Sequence, residues 1–174
     1  MTENRHLADM LEPLKVALRL EQEGKRFFAE AASAVKGKAA KQTFEFLAAE
    51  EDKHIRRIEE LYRSLEESDG HEALVTEDSD ADQRFVAFND RLAELRNEIK
   101  PTISDIEAYQ TALKFENGAE DFYVEQLAKS TNPKIKKFYS WLIHEESMHA
   151  KVHHSCLRFA EDPATWFHER GKSS

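Results

Sequence analysis

The sequence predicts an all-α protein, a four-helix bundle made of two repeated helical hairpins with a long crossover connection. Three observations predict this fold. Only five Gly and four Pro occur in 174 residues, which favours long helices over many-stranded sheets. Apolar residues recur at helical spacing along four long stretches of the chain. Residues 17–63 also align with residues 112–158 at a constant offset of 95, without a gap. We expect one domain over residues 1–174.

The first hairpin is predicted over residues 12–66. Its first helix is expected from about Glu12 to Val35, with Gly37 in the turn, and its second helix from about Lys38 to Leu65. The apolar stripes that predict these helices consist of Leu14, Ala17, Leu18, Phe28, Ala31, Ala32 and Val35, and of Phe44, Leu47, Ala48, Ile55, Ile58 and Leu61.

A long acidic linker is predicted over residues 67–103. Its first half loses helical periodicity and collects Asp, Glu, Ser and Gly, while Phe85 to Ile99 is expected to form a short helix. Because this connection must travel the length of the bundle, the two hairpins are expected to be antiparallel to each other.

The second hairpin is predicted over residues 104–161. Ser104 and Glu107 have the spacing of a capping box, which predicts a helix start. Asn132 followed by Pro133 predicts the start of the fourth helix, which should run to about residue 160. A C-terminal tail, residues 162–174, carries Trp166 and Phe167 and is expected to dock on the bundle.

Composition excludes several classes of protein. The formal net charge of −9 would repel a phosphate backbone, so we expect no nucleic-acid partner. No apolar run approaches the roughly 20 residues that span a bilayer, so we expect no membrane partner. Met1 to Asp9 has no apolar signal core, and Cys156 is the one cysteine, which together predict a cytoplasmic protein.

Carboxylates and imidazoles repeat on the apolar stripes. The stretches "EEDKH" at 50–54 and "EESMH" at 145–149 lie 95 residues apart, and each contains a Glu-x-x-His motif. A lone glutamate precedes each motif by 30 residues on the preceding helix. Charged groups in a core cost several kcal/mol each unless they are paired or ligated. The six side chains expected in one layer at mid-bundle are Glu21, Glu51, His54, Glu116, Glu146 and His149.

Two divalent cations would neutralise the four carboxylates of this layer. Carboxylate and imidazole without thiolate are ligands typical of iron, manganese or zinc, so we expect two metal ions. Glu50 and Glu145 are alternative ligands. Glu50 falls off the apolar stripe, which favours Glu51, and the repeat then favours Glu146. His153, one turn after His149, is expected to be a half-buried polar residue, with a position behind the ligands as the alternative.

These motifs resemble the ferritin-like superfamily, and most closely the rubrerythrin-type di-iron domain, over roughly 12–66 and 104–161. The resemblance is carried by "LEQEGKRFF", "EEDKH", "FENGAEDFY" and "EESMH". It implies a bundle that holds two iron ions, with zinc or manganese as alternatives. It also implies reaction with dioxygen or hydrogen peroxide, a role in oxidative stress, an external electron donor for reductive cycling, and a homodimer.

The sequence departs from the family pattern near the third helix. Rubrerythrins carry an extra ligand glutamate where this chain has Ala119, and the adjacent Glu120 is a candidate substitute. They also tend to carry a tyrosine on each lone-glutamate helix. Tyr123 matches one, whereas Phe28 occupies the other place. The resemblance therefore makes Tyr123 and Glu120 the candidate catalytic residues, although Tyr123 as a core aromatic and Glu120 as a solvated residue are the alternatives. The chain lacks the four cysteines of a rubredoxin module.

The leading functional prediction is a di-iron carboxylate oxidoreductase that reacts Fe(II) with peroxide or dioxygen, for peroxide scavenging or iron oxidation. The alternative is a non-catalytic module that handles iron or is stabilised by a metal such as zinc. A metal-free scaffold is the third interpretation.

Overall fold

The computed structural model describes residues 2–67 and 103–170, and these ranges are helical apart from short turns. The five described helices are α1 (Thr2–Ala34), α2 (Lys38–Glu67), α3 (Ile103–Lys129), α4 (Pro133–Glu161) and α5 (Pro163–Arg170). The all-α prediction is confirmed. The predicted linker and the short helix expected from Phe85 to Ile99 lie outside the described residues. Within the described residues, no helix has both the length and the apolar character that crossing a membrane requires.

Helix α1 begins nearly three turns earlier than predicted. The expected start near Glu12 is wrong, because the helix runs from Thr2 through Pro13. A proline in a helix removes one backbone hydrogen bond, so it reads as a helix start. Here Leu7 and Met10 continue the apolar stripe and pack on the core, which offsets that loss.

The start of α4 follows the predicted capping, and α3 begins one residue before the predicted start at Ser104. The Asn132 side chain accepts hydrogen bonds from the backbone N–H groups of Lys134 at 2.9 Å and Ile135 at 3.3 Å. Helix α3 already begins at Ile103, so Ser104 lies inside its first turn and is exposed. Asp105 is buried instead, and its Oδ1 accepts the Gly37 N–H at 3.4 Å, which ties α3 to the α1–α2 turn.

The two hairpins pack against each other as antiparallel units. Helix α1 pairs with α2 and α3 pairs with α4, while α1 also contacts α3 and α2 contacts α4. Glu21 of α1 contacts Tyr123 of α3, whereas Phe28, later on α1, contacts Phe115, which is earlier on α3. The two helices therefore run in opposite directions. The predicted ferritin-like four-helix arrangement of two repeated hairpins is therefore present.

Two apolar clusters fill the bundle, one toward each end. The cluster at one end, the Tyr123 cluster, contains Leu11, Leu14, Ala17, Ile58, Leu61, Leu65, Ala119, Tyr123, Ile135, Phe138, Tyr139 and Leu142. The cluster at the other end, the Phe28 cluster, contains Phe28, Ala32, Ala39, Ala40, Phe44, Leu47, Tyr109, Ala112, Val152, Cys156, Phe159 and Trp166. The sequence offset of 95 relates positions of one cluster to positions at the other end of the bundle, as a pseudo-two-fold axis through the middle requires.

Helix α5 docks on the Phe28 cluster, which confirms the prediction for the tail. The Trp166 ring meets the Phe159 ring edge to face, with centroids 5.4 Å apart. Its indole Nε1–H donates to Ser155 Oγ at 3.1 Å, so the polar end of the ring is satisfied while its apolar body is buried.

Candidate metal centre

The structure brings the six predicted side chains together in one buried layer between the two apolar clusters. None of these residues is more than 3% exposed. Helices α1 and α3 each supply one glutamate, and α2 and α4 each supply a Glu-x-x-His pair. Residues three apart lie on the same face of a helix, so each pair points into the bundle together. The members of the layer are Glu21, Glu51, His54, Glu116, Glu146 and His149.

The first half of the layer is centred on His54. Glu21, Glu51, His54 and Glu146 each offer one ligand atom, and these four atoms lie within 4.8 Å of one another. The His54 Nδ1 atom is 3.0 Å from Glu21 Oε2, 3.5 Å from Glu51 Oε2 and 3.2 Å from Glu146 Oε1. One imidazole thus faces three carboxylates from three helices.

The second half repeats this arrangement around His149. Glu51, Glu116, Glu146 and His149 form a second set of four ligand atoms within 4.8 Å. The His149 Nδ1 atom is 3.4 Å from Glu51 Oε1, 3.5 Å from Glu116 Oε1 and 3.9 Å from Glu146 Oε2. Glu51 and Glu146 belong to both sets, so the two sets share these carboxylates.

The hydrogen bonding of the layer fits metal ions. Among the described residues, buried atoms without a hydrogen-bond partner include both oxygens of Glu51 and Glu116, Glu146 Oε1, and both ring nitrogens of His149. Buried polar atoms are nearly always hydrogen-bonded in proteins. Carboxylate oxygens and imidazole nitrogens are ligands for iron, manganese and zinc, so the donor set suits two such ions.

The carboxylates of the layer divide into two kinds. Burial, followed by repulsion from Glu51, raises the pKa of Glu21 to about 7. Burial and repulsion from Glu146 raise the pKa of Glu116 well above its usual range. Burial also opposes the charge on Glu51, but the protons that Glu21, His149 and His54 hold close to it outweigh this effect and lower the pKa of Glu51 to about 2.

Both imidazoles of the layer favour the protonated form. Burial disfavours the charge of His54, but Glu21, Glu145 and Glu146 outweigh it and raise the pKa of His54 well above its usual value. Burial acts in the same sense on His149, where Glu116 is the largest opposing influence and the pKa is raised. Without metal, protons thus compensate part of the negative charge of the layer.

The alternative ligands Glu50 and Glu145 lie outside both sets of four. Glu50 was expected off the buried face, yet it is only 4% exposed, and its Oε1 accepts from Lys53 Nζ at 2.6 Å. The stripe prediction failed here because the aliphatic part of a glutamate can be covered while a lysine reaches its carboxylate. Glu145 Oε2 lies 3.8 Å from His54 Nε2, on the side of the ring away from the layer.

The two candidate catalytic residues differ in their position. Tyr123 is fully buried, and its hydroxyl donates a hydrogen bond to Glu21 Oε1. Burial and the charge of Glu21 raise the pKa of Tyr123, so its phenol keeps its proton. Glu120 is half-buried and belongs to neither set of ligand atoms, while Ala119 beside it is buried. The geometry thus brings Tyr123, but not Glu120, into contact with the layer.

The burial of His153 was also predicted wrongly. It is fully buried rather than half-buried, and its Nε2 lies 3.4 Å from Glu116 Oε1. Burial and the neighbouring charge of His149 lower the pKa of His153 to about 3. The repeat held the missed signal, because its counterpart at the offset of 95 is Ile58, a core residue.

Comparison with known proteins agrees with this geometry. A family model described as Rubrerythrin matches residues 12–152, which is most of the chain and includes all six side chains of the layer. No curated protein and no solved structure matches the chain. With its ferritin-like helical bundle and its buried cluster of glutamates and histidines, the chain belongs to the rubrerythrin family.

Proposed function

We propose that the protein is a di-iron carboxylate oxidoreductase that reacts with hydrogen peroxide or dioxygen. The observation that carries this proposal is that Glu51 and Glu146 are shared by the two sets of four ligand atoms. A centre with two shared carboxylates suits two adjacent ions better than two isolated ones. The family match supports the same centre, since it covers every residue of both sets.

Each side chain has a distinct part in this proposal. Glu21 and His54 would hold one ion, Glu116 and His149 the other, and the two shared glutamates both. Two iron ions held there would supply two electrons, one from each Fe(II), which with two protons would reduce hydrogen peroxide to two molecules of water.

The chain itself supplies charge, dryness and a proton donor. Four carboxylates balance two divalent cations, and neutral imidazoles complete the donor set without adding charge. The apolar clusters on either side keep bulk water from the layer. The Tyr123 hydroxyl holds a proton at Glu21 Oε1, which keeps that carboxylate oriented toward the layer.

The rate of iron oxidation tests the proposal. Fe(II)-loaded protein is mixed with hydrogen peroxide or dioxygen in a stopped-flow spectrometer, and wild type is compared with Glu116→Ala. We expect the variant to oxidise iron about 10- to 100-fold more slowly, because one terminal carboxylate is lost. Asp121→Ala, which removes an exposed carboxylate from the same helix, is the matched control and should react at the wild-type rate. Equal rates in all three proteins would exclude the catalytic role.

A non-catalytic metal module is the second candidate. One observation favours it: each set holds four buried protein donors, and Glu120 adds no further one. Four protein ligands are typical of structural zinc sites, which leave no position open. Zinc rather than iron in protein purified from its own host, together with no oxidation of added Fe(II), would favour this candidate.

We further propose the setting in which the centre works. An external electron donor would return the iron to Fe(II). A homodimer, a cytoplasmic location and the absence of a nucleic-acid or membrane partner complete the proposal. Light scattering on the purified protein measures the oligomeric state, and a monomer would contradict the homodimer.

A further inference from the structure

His153 lies directly behind the second set of ligands. Its ring is fully buried, with its centroid 5.6 Å from that of Phe28 and 5.9 Å from that of Phe44. Among the described residues neither ring nitrogen has a hydrogen-bond partner, and Nε2 is 3.4 Å from Glu116 Oε1. A carboxylate that ligates a metal is deprotonated and would be repelled by an imidazole lone pair, so with metal bound this approach is favourable only when Nε2 carries the hydrogen.

The internal repeat shows what stands in the corresponding place on the other side. At the offset of 95, Tyr123 corresponds to Phe28 and His153 corresponds to Ile58. The Tyr123 hydroxyl donates a hydrogen bond to Glu21, and Ile58 lies in the same apolar cluster as Tyr123. On the opposite side Phe28 has no hydroxyl to donate.

Polar and apolar residues are thus exchanged between the two sides. The pair Tyr123 and Ile58 is associated with the lone glutamate Glu21, and the pair Phe28 and His153 is associated with Glu116. In each pair one member is apolar and the other can donate a hydrogen bond. The donor comes from α3 on the first side and from α4 on the second.

We propose that His153 is a positioning residue that donates its Nε2–H to Glu116 and replaces the phenol donor that Phe28 lacks. The inference rests on the proposed metal centre. A hydrogen bond to a ligating carboxylate fixes its orientation and tunes its basicity. The two lone glutamates therefore receive donors of different chemistry, a phenol and an imidazole, and the two metal positions are unequal.

Cobalt titration of the full chain tests the role of His153. Wild type should bind two Co(II) ions with distinguishable visible spectra. In His153→Leu, the affinity for one ion should fall by about 10- to 100-fold, and the spectrum of that ion should change. The affinity for the other ion should be unchanged. His153→Gln is the conservative variant, since its amide N–H reaches a position close to Nε2, and it should recover most of the affinity.

A second pair of variants tests the exchange itself. Phe28→Tyr with His153→Ile gives the second side the same pair as the first. This double variant should recover the affinity that His153→Ile alone loses. Tyr123→Phe is the mirror-image control, and it should lower the affinity for the ion whose binding His153→Leu leaves unchanged.

The outcomes separate this inference from the proposed function. If wild type and His153→Leu both bind two ions equally, the centre stands and the role of His153 is overturned. If Leu and Gln variants lose affinity equally, His153 only fills space, and the inference is overturned too. Wild type that binds fewer than two ions contradicts the centre itself. Nitrogen NMR of zinc-loaded wild type needs no variant, and a hydrogen on Nδ1 rather than Nε2 of His153 would overturn the inference.

Discussion

The His54 Nδ1 atom on α2 lies 3.2 Å from Oε1 of Glu146 on α4, so an imidazole from one hairpin faces a carboxylate from the other. Either hairpin alone would present one lone glutamate and one Glu-x-x-His pair, which are three residues of one set of four and one residue of the other. The layer therefore forms only when the hairpins dock, and metal binding and docking should stabilise each other.

Single substitutions should separate the shared ligands from the terminal ones. His54→Ala should weaken the binding of one ion and leave the other bound, because His54 belongs to one of the two sets of four. Glu51→Ala should weaken the binding of both ions, because Glu51 belongs to both sets. Competition titration with a chromophoric chelator measures each affinity. The shared-carboxylate arrangement is contradicted if Glu51→Ala loses only one ion.

Glu21→Gln should make the metal-free protein more stable at alkaline pH. The pKa of Glu21 is raised in the folded state from 4.5 to about 7, so its contribution to stability is present below about pH 4.5 and is lost as pH rises through 7. Glutamine stays uncharged throughout. At pH 8 in chelator, the variant should gain up to about 3 kcal/mol in the free energy of unfolding, at about 1.4 kcal/mol per pKa unit.

Urea unfolding at pH 4 and pH 8, in chelator and in excess zinc, checks this prediction. At pH 4 the two proteins should have similar free energies of unfolding. With zinc at pH 8 the order should reverse, because the amide is a weaker ligand than the carboxylate. A variant that is less stable than wild type at pH 8 in chelator would show that burying the charged form of Glu21 does not destabilise the folded protein.

Metal loading should release protons at pH 7. Four groups of the layer have raised pKa values in the metal-free protein, namely Glu21, Glu116, His54 and His149. Metal ligands must be deprotonated, so binding of both ions should release up to four protons, one from each group. Calorimetric titration in two buffers that differ in ionisation enthalpy counts these protons. An enthalpy of binding that is the same in both buffers would contradict the protonated layer.

Gly24 should be a position where α1 tolerates no side chain. A Cβ there would lie 2.8 Å from Phe115 Cε1 and 3.5 Å from Glu51 Cδ. Gly24→Ala should therefore cost about 1–3 kcal/mol from overpacking, offset in part by the better helix propensity of alanine. Gly118→Ala is the matched control, because none of the described residues lies within 4 Å of its added Cβ. Thermal melts should show it to be more stable than wild type by about 0.5–1 kcal/mol.

Much of the layer could be predicted from sequence because two periodicities agree. Glu51 and Glu146 lie on apolar helical stripes, and the offset of 95 relates them to each other. A charged residue on a core stripe at two equivalent positions leaves few alternatives to ligation. Asn132 was predictable as a helix cap for a similar reason, since its effect is local and depends on its own side chain.

Other features depend on partners that are distant in sequence. Pro13 reads as a helix start, and only the packing of Leu7 and Met10 on the core shows why the helix continues through it. The low pKa of Glu51 could be predicted only by knowing that Glu21 and both histidines hold protons close to its carboxylate. The burial of His153 depends on Phe28, which lies on another helix.

The pseudo-two-fold axis relates each apolar cluster to the cluster at the other end of the bundle, and this relation affects how the two halves of the chain evolve. Each residue of an apolar cluster and its counterpart in the repeat lie at opposite ends of the bundle. A mutation at one end therefore meets different neighbours from the same mutation at the other. The Tyr123 cluster has Tyr139 where the opposite end has Phe44, and Leu61 where it has Cys156. Selection can thus hold a duplicated centre symmetric while each end of the molecule diverges on its own.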